Sequence, residues 1–492
     1  MSTLLSKSTF IRSLQCQKSL FLYKNYYHLR DEISLERQRI FERGHEVGKL
    51  AQQLFPGGID VGWESPKEYK KSVQLTQERI LKGDKIIYEA AFLWNEVLVA
   101  ADIIVKEGDT WHIYEVKSSL SISETYYRDA ALQLYMISKS GLKISGISMI
   151  HLNKNYIREQ HIDLHKLFKI EDVTQEAELR IGGVIMGLIE ARNTLNQNTI
   201  PDIRIGPQCD NPYTCDFKGY CGWNKIPKNS VFELEEIEEE QVWTFYNQNI
   251  VRIEDIPADY PFTITQKITW QSRLTNEVFI NQDEISSALD QVILPAAFLD
   301  IQVFRPAVPL TSGAHPYKQI PFGFGMKNLT LDSDNQKIEI ILAEPVFDFE
   351  ESFLKRFISE TAHLKSLIVF DKKRELRALV QMTERFPQYT AEIEKTINAT
   401  VDLADIFNRR HFYHPKMNLN LRDMPAIFGY ENVSNENQFG SDSLAGTAFE
   451  YLYRDGDLLQ AIEIKALLKN YLKQDIEALE LIYRGLTDTI DH

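Results

Sequence analysis

The chain has 492 residues, enough for two or three domains with sizeable cores, and its 43% hydrophobic and 25% charged content is ordinary for a globular protein. A formal net charge of -15 at pH 7 argues against indiscriminate binding to a polyanion, while leaving room for a nuclease whose positive charge is local. No apolar run approaches the roughly 20 residues that span a bilayer, the N-terminus lacks a secretory pattern, and four cysteines point to metal ligation or buried thiols, so the expected setting is cytoplasmic, with no membrane.

Residues 3–30 carry Phe10, Ile11, Leu14, Leu20, Phe21 and Tyr23 at helical spacing, with Ser8 as a candidate N-cap. Cys16 lies among them and on its own reads as a buried thiol. A second helix is expected over 35–54, with Ile40, Phe41, Val47, Leu50, Ala51 and Leu54 on one stripe and Pro56-Gly57-Gly58 as its stop. It contains Gly44-His45-Glu46-Val47-Gly48. A glycine inside a helix costs about 1 kcal/mol relative to alanine, so two of them need a packing or access reason. Between them, His45 reaches toward a site or is an ordinary structural histidine.

An amphipathic segment over 66–81 precedes three β-favouring runs, 86–92, 96–105 and 111–117, which read as an antiparallel meander. Within its second hairpin, Asp102 and Glu115 become cross-strand neighbours able to share one divalent ion, and Lys117 follows Glu115 on the same face. Two acids and a lysine at one point suit a metal, the water it activates and a phosphate. A solvated hairpin with ordinary surface charges is the plainer reading. A helix over 121–141 carries Gln133 and Tyr135, and a strand is expected over 144–152, so the first domain is an α/β core. Residues 166–198 read as helix. Cys209, Cys215 and Cys221 then stand at C-x5-C-x5-C in a Pro- and Gly-containing loop; with Cys16 as a fourth thiolate they suit a cluster or a zinc ion.

On these residues (His45, Asp102, Glu115-Val116-Lys117, Gln133, and one distal cysteine with a three-cysteine cluster) the first 225 or so residues resemble the RecB-like branch of the PD-(D/E)xK nucleases. The resemblance is to members with an iron-sulfur staple, such as CRISPR-adaptation exonucleases and the nuclease domains of bacterial recombination helicases. It implies that Asp102, Glu115 and the backbone carbonyl of Val116 hold Mg²⁺ or Mn²⁺, with His45 completing the site or binding a second ion, and that Lys117 orients the attacking water or offsets charge developing on phosphorus. It further implies that Gln133 positions nucleic acid or the lysine, and that Cys16, Cys209, Cys215 and Cys221 hold a [4Fe-4S] cluster. The implied substrate is DNA, as single strands or ends. Glu89, on a neighbouring strand, reads more simply as a cross-strand partner.

The whole chain looks like a bacterial family in which this nuclease is followed by a DnaQ-like, RNase H-fold domain. The expected layout is therefore a nuclease domain over 1–228, an acidic linker and helical hairpin over 229–290, and a DnaQ-like α/β domain over 291–492. That family's first strand carries D-x-E, whereas here Asp300 is followed by Gln302, an amide that brings no negative charge to a metal. Glu375 keeps the acid of the second motif behind Lys372, Lys373 and Arg374, and Asp475 that of the last. The expectation is an impaired domain that holds nucleic acid, binds a protein partner or self-associates. The competing reading is a residual exonuclease in which Asp402 or Asp405 supplies the missing acid. Phe412 and Tyr413 are expected in the core, with Arg409 and Arg410 on the surface. For the whole protein, the alternative to a metal-dependent deoxyribonuclease of repair or phage defence is a non-catalytic, nucleic-acid-binding scaffold in a multi-protein complex.

Overall fold

The computed structural model describes residues 4–63, 68–234, 237–330, 337–431, 433, 439–454 and 458–491. The start of the expected amphipathic segment, residues 66 and 67, and part of the acidic run, Glu235 and Glu236, lie outside them. The chain forms two compact units, Met1–Ile226 with Ala307–Pro309 and Ala314–Pro316, and the remainder from Pro227 to His492. Both mix helices with sheet.

The first unit runs β1 (Leu5–Ser6), α1 (Lys7–Gln15), α2 (Gln17–Asn25), α3 (Leu35–Gln52), β2 (Ile59–Asp60), α4 (Tyr69–Lys82), β3 (Ile86–Trp94), β4 (Val97–Glu107), β5 (Thr110–Lys117), α5 (Glu124–Lys139), β6 (Ile144–Leu152), α6 (Leu164–Leu167), β7 (Phe168–Asp172) and α7 (Thr174–Leu195). The expected meander is present as β3, β4 and β5, with Gly108 at φ +61° in the tight turn, a conformation that glycine adopts without a Cβ penalty. The crossover through α5 makes β6 parallel to β5, giving the order β2-β3-β4-β5-β6-β7. Ile87, Val99, Ile104, Ile113 and Ile147 are buried in its core, each contributing about 1.5–3 kcal/mol by leaving water.

Several local expectations change. Ser6, not Ser8, caps α1: its side chain accepts the Thr9 N–H and Thr9 returns the bond, a reciprocal cap that Ser8 lies too far along to make. Residues 168–172 pair with β6 instead of continuing a helix, because pairing with an existing strand outweighs local propensity. Ile40 and Phe41 are 61% and 60% exposed, while Val47 and Ala51 are buried, so only the C-terminal half of α3 faces the core. A Cβ at Gly44 or Gly48 would meet nothing within 4 Å, which rules out tight packing as the reason for either glycine.

The second unit begins with the segment expected as a linker. It carries α8 (Glu239–Asn247), α9 (Ile264–Thr275), β8 (Phe279–Ile280) and α10 (Gln282–Leu289), with a small core of Val231, Leu234, Val242, Phe245, Ile253 and Ile256. It is a folded part of this unit because those side chains bury one another. Then come β9 (Ala296–Phe304), β10 (Ile320–Leu329), β11 (Glu339–Leu342), α11 (Glu350–Thr361), β12 (Ser366–Val369), α12 (Lys372–Thr383), α13 (Thr390–Asn398), β13 (Thr400–Asp402), α14 (Ala404–Asn408), β14 (Phe412–Tyr413), α15 (Asp442–Arg454) and α16 (Leu458–Asp491). The sheet order is β11-β10-β9-β12-β13, antiparallel through β9 and parallel beyond it. Phe412 and Tyr413 are buried as expected. Arg410 is buried too, a departure from the expected surface position: its guanidinium bonds Thr269 and the Phe407 carbonyl, which satisfies it inside.

Candidate active site

One edge of β4 is shared. β1 pairs with it at Val97 and Leu98, β5 pairs with it from Ile103 to Glu107, and the stretch between is left without a ladder partner on that side. Asp102 stands in this gap, and its Oδ2 accepts the Val116 N–H at 2.6 Å in place of a ladder bond. Val116 therefore reaches the site through its N–H. The pairs Tyr88↔Ile103 and Ala90↔Ala101 put Glu89 abreast of Asp102, and Ile103↔Tyr114 puts Glu115 next along on the other side. Three carboxylates thus lie in a row across β3, β4 and β5. Glu89 holds a left-handed backbone, φ +55°, which costs a non-glycine residue roughly 1–3 kcal/mol and is typical of functional sites.

Glu115 is 1% exposed and fully engaged. Its Oε2 accepts from Gln133 Nε2 at 2.7 Å, and its Oε1 accepts from Lys117 Nζ at 2.9 Å and from Lys7 Nζ at 2.5 Å. Lys117 also bonds Asp129 Oδ2 at 2.8 Å. Burial alone would push Glu115 up, but Lys117 and Lys7 outweigh it and hold the carboxyl at about 2. Burial, reinforced by Glu115, pushes Asp102 up to about 8; burial with Asp60 and Glu115 pushes Glu89 up to about 7. Like charges abreast on a sheet repel, and a divalent cation bound by hard carboxylate oxygens is the ordinary relief. Among the described residues no three His, Cys, Asp or Glu side chains stand as a ready ligand set. The lysines supply a reason: ammonium groups already sit on Glu115.

His45 lies on the exposed face of α3 and lines the same cavity as Asp102, Glu89, Asp60 and Lys7, a space of about 700 Å³. A second cavity of about 1180 Å³ shares Lys7 with it and includes Lys117 and Asp129. Its walls come from α1, α3 and the cysteine loop and carry Arg30, Arg37, Lys218, Phe41, Tyr213 and Trp223 together with the acids Asp31, Glu32, Glu36 and Asp216, the last paired with Arg37. This is where the exposed Ile40 and Phe41 face. The buried Asp129 Oδ1 and Gln133 Oε1 have no hydrogen-bond partner.

Cys16 occupies the extended residue that breaks α1 from α2 (φ -163°, ψ 119°) and is half-buried rather than buried, because the break lifts it out of the helical stripe. All four cysteines are free. The loop folds back on itself through Cys215 N–H to the Cys209 carbonyl, 2.7 Å, and Cys215 Sγ lies 3.3 Å from Ser19 on α2. Burial pushes Cys16, Cys209 and Cys221 up, Cys221 to about 11, and the neighbouring thiols add to each shift. Cys16 and the cysteine loop thus meet at the N-terminal end of α2, where, among the described residues, the thiols do not stand as a ready ligand set. Asp216 ties the same loop to α1 and α3 through Arg12 at 2.8 Å and Arg37 at 2.5 Å.

The second unit has its own acid cluster. Asp300 on β9, Glu375 on α12 and Asp475 on α16 are all buried, and Glu375 Oε2 accepts the Ile301 N–H at 2.7 Å. The fourth acid is Asp442, at the start of α15. Neither Asp402 nor Asp405 joins them: Asp402 accepts the backbone N–H groups of Asp371, Lys372 and Ala404, and Asp405 pairs with Arg409. The cations within this cluster are side chains. Arg422 forks onto Asp475 at 2.7 and 2.9 Å and stacks on Tyr471; Arg374 bonds Glu375 at 2.7 Å and Asp442 at 3.1 Å. Gln302 turns its amide nitrogen to Asp300, Asp442 and Asp475 at 3.1–3.4 Å. Burial raises Asp300 to about 6 and drives Glu375 and Asp475 well up.

Lys7, Asp442 and Arg422 were not singled out by sequence reasoning. Lys7 belongs to no motif, and its only signal is its place directly after a short β-favouring run and a capping serine.

A family model described as a domain of unknown function, DUF2779, matches residues 297–420, a span that belongs to the second unit apart from Ala307–Pro309 and Ala314–Pro316. No curated protein matches. Among solved structures, the family B DNA polymerase from the hyperthermophilic archaeon Pyrobaculum calidifontis aligns with 40% of this chain at 14% identity and a TM-score of 0.27. The chain spans about a quarter of that polymerase's length, 24%. The crystal structure of SSO0001 aligns with 46% of this chain and 87% of its own at 13% identity and a TM-score of 0.20. No helix among the described residues is long and apolar enough to cross a membrane.

Proposed function

We propose that the first unit is a divalent-metal-dependent nuclease of the PD-(D/E)xK type, hydrolysing DNA phosphodiester bonds on single strands or from ends. The observation that carries this reading is the row Glu89, Asp102, Glu115 across three strands, with Lys117 bonded to Glu115, and with Glu89 and Asp102 opening onto a cavity that His45 also lines. Asp102 and Glu115, with His45 and the Val116 carbonyl as the further donors expected from the resemblance, are the residues that would hold Mg²⁺ or Mn²⁺. When bound, the ion polarises the scissile phosphate and lowers the pKa of a coordinated water. Lys117, kept charged by Glu115 and Asp129, faces the negative charge that develops on phosphorus. Gln133 fixes the direction of Glu115. The cation- and aromatic-lined cavity beside Lys117 suits an unpaired strand, whose bases stack on rings while its phosphates meet arginine and lysine.

Cys16, Cys209, Cys215 and Cys221 would hold a [4Fe-4S] cluster, with a zinc ion satisfying the same count; either joins the α1–α2 break to the loop that walls the second cavity. The second unit is read as a DnaQ-like domain, supported by its sheet order and its acids, and as one that holds nucleic acid or a partner without cutting, since arginines already pair with its carboxylates and an amide donates to them.

The experiment is incubation of the purified chain with linear, circular and single-stranded DNA, with and without Mn²⁺. Lys117→Ala should lower turnover by about 10²–10⁴-fold while the protein stays folded, and Asp102→Ala should also weaken Mn²⁺ binding. If either variant cuts at the wild-type rate, the assignment fails; no cutting by the wild type, with DNA retained, favours a scaffold.

A further inference from the structure

Lys7 is placed by an unusual junction. β1 ends at Ser6, which pairs with Leu98 and caps α1, so Lys7 is the first residue of the helix and faces the unpaired stretch of β4 where Asp102 stands. Its ammonium shares Glu115 Oε1 with that of Lys117. The two lysines are not equivalent. Lys117 is held by two acids, Glu115 and Asp129, and its side chain is 16% exposed. Lys7 bonds Glu115 alone among the described carboxylates, is 27% exposed, and lines both cavities.

Resting on the nuclease reading above, we propose that Lys7 is a placeholder cation: in the metal-free protein its ammonium occupies the position on Glu115 Oε1 that a divalent ion takes, and metal entry releases it toward the substrate phosphate. An ionised carboxylate oxygen offers two lone-pair sites. Two ammonium groups fill both, so an ion that coordinates Oε1 must displace one. The singly anchored, more exposed lysine leaves first. Exchange of one positive charge for two also answers more of the repulsion along the row Glu89, Asp102, Glu115, on which the single charge of Lys7 already acts in part. Once released, Lys7 still lines both cavities, close to Lys117, where it faces a phosphate of a strand bound there. Lys7 is therefore a positioning residue with opposite effects on two ligands: it opposes the metal and supports the substrate.

The test uses the full chain. Mn²⁺ binding is titrated by the electron paramagnetic resonance of free Mn²⁺ for wild type, Lys7→Ala and Lys7→Gln, with thermal unfolding in the absence of metal and steady-state cleavage of single-stranded DNA alongside. Both variants should bind Mn²⁺ roughly tenfold more tightly, unfold at lower temperature without metal, and show a raised KM for DNA. A purely structural role for Lys7 would weaken Mn²⁺ binding along with stability, and that result, like unchanged Mn²⁺ affinity in a folded variant, overturns the proposal. The glutamine variant, one atom shorter, keeps most of the side-chain bulk and a neutral N–H donor, so it reports on charge if the alanine variant does not fold. Wild-type protein that binds no Mn²⁺ overturns the nuclease reading as well, whereas wild type that binds and cuts, with variants equal to it in affinity, removes the placeholder alone.

Discussion

At the scale of single residues, the first unit sets charge against burial. Glu115 stays ionised inside because two ammonium groups and an amide hold it, while Asp102 and Glu89, lacking such partners, are driven toward their neutral forms. His112, on the neighbouring strand position, shows the same competition with a different sign. Burial pushes its imidazole down, against the opposite pull of Glu107 and Asp172, and its Nε2 lies 2.9 Å from Ser148 Oγ. The folded protein thus resists protonating a ring that the unfolded chain protonates near pH 6.5. His112 contributes stability above that pH and loses it as the pH falls. The melting temperatures of wild type and His112→Gln should therefore converge between about pH 7.5 and 5.5; a constant gap between the two curves across that range contradicts this account.

At the scale of elements, ends and breaks position the chemistry. The short β1 brings α1 onto the gap in β4, and the extended Cys16 between α1 and α2 turns a thiol toward the cysteine loop. In the second unit the N-terminal end of α15 and the 420–424 turn deliver Asp442 and Arg422 to a cluster built on β9. Arg422 and Asp475 are both buried and fork-paired, so Arg422→Ala leaves Asp475 without its counter-charge and should cost about 3–5 kcal/mol, read as a shift in the denaturation midpoint of this unit. Arg422→Lys should recover only part of it, because a lysine presents one point of charge where the guanidinium presents a fork. Full stability in Arg422→Ala would show that the pair is not what holds this cluster together.

At the scale of the whole molecule, two units with separate cores face divalent ions differently. The first opens Asp102 and Glu89 onto a cavity; the second presents carboxylates already bonded to Arg374, Arg422 and Gln302. Calorimetry of the full chain should resolve two transitions, and saturating Mn²⁺ should raise one of them, by about 2.7 kcal/mol at a hundredfold excess over the dissociation constant. Lys117→Ala should keep that shift and Asp102→Ala should lose most of it. A shift of both transitions would mean that the arginines of the second unit yield to metal.

Much of the first site was legible from the chain alone, for local reasons. The alternation of β-favouring residues around Gly108 announced the hairpin, and its register follows from the turn, so Asp102, Glu115 and Lys117 were bound to meet. The cysteine spacing and the helical period around Gln133 were equally local. What the chain alone determined is therefore the three-stranded meander, the two-acid-and-lysine pattern and the cysteine loop, each written within one stretch of sequence. Only the tertiary structure decided that Lys7 joins Glu115 across 108 positions, that Asp442 rather than Asp402 completes the second cluster, that residues 168–172 form a strand, and that Arg410 goes inside. The physical reason is that side-chain periodicity reports which face of an element is apolar, whereas the meeting of distant charges depends on how those faces pack, and the free energy of that packing belongs to no single stretch of sequence.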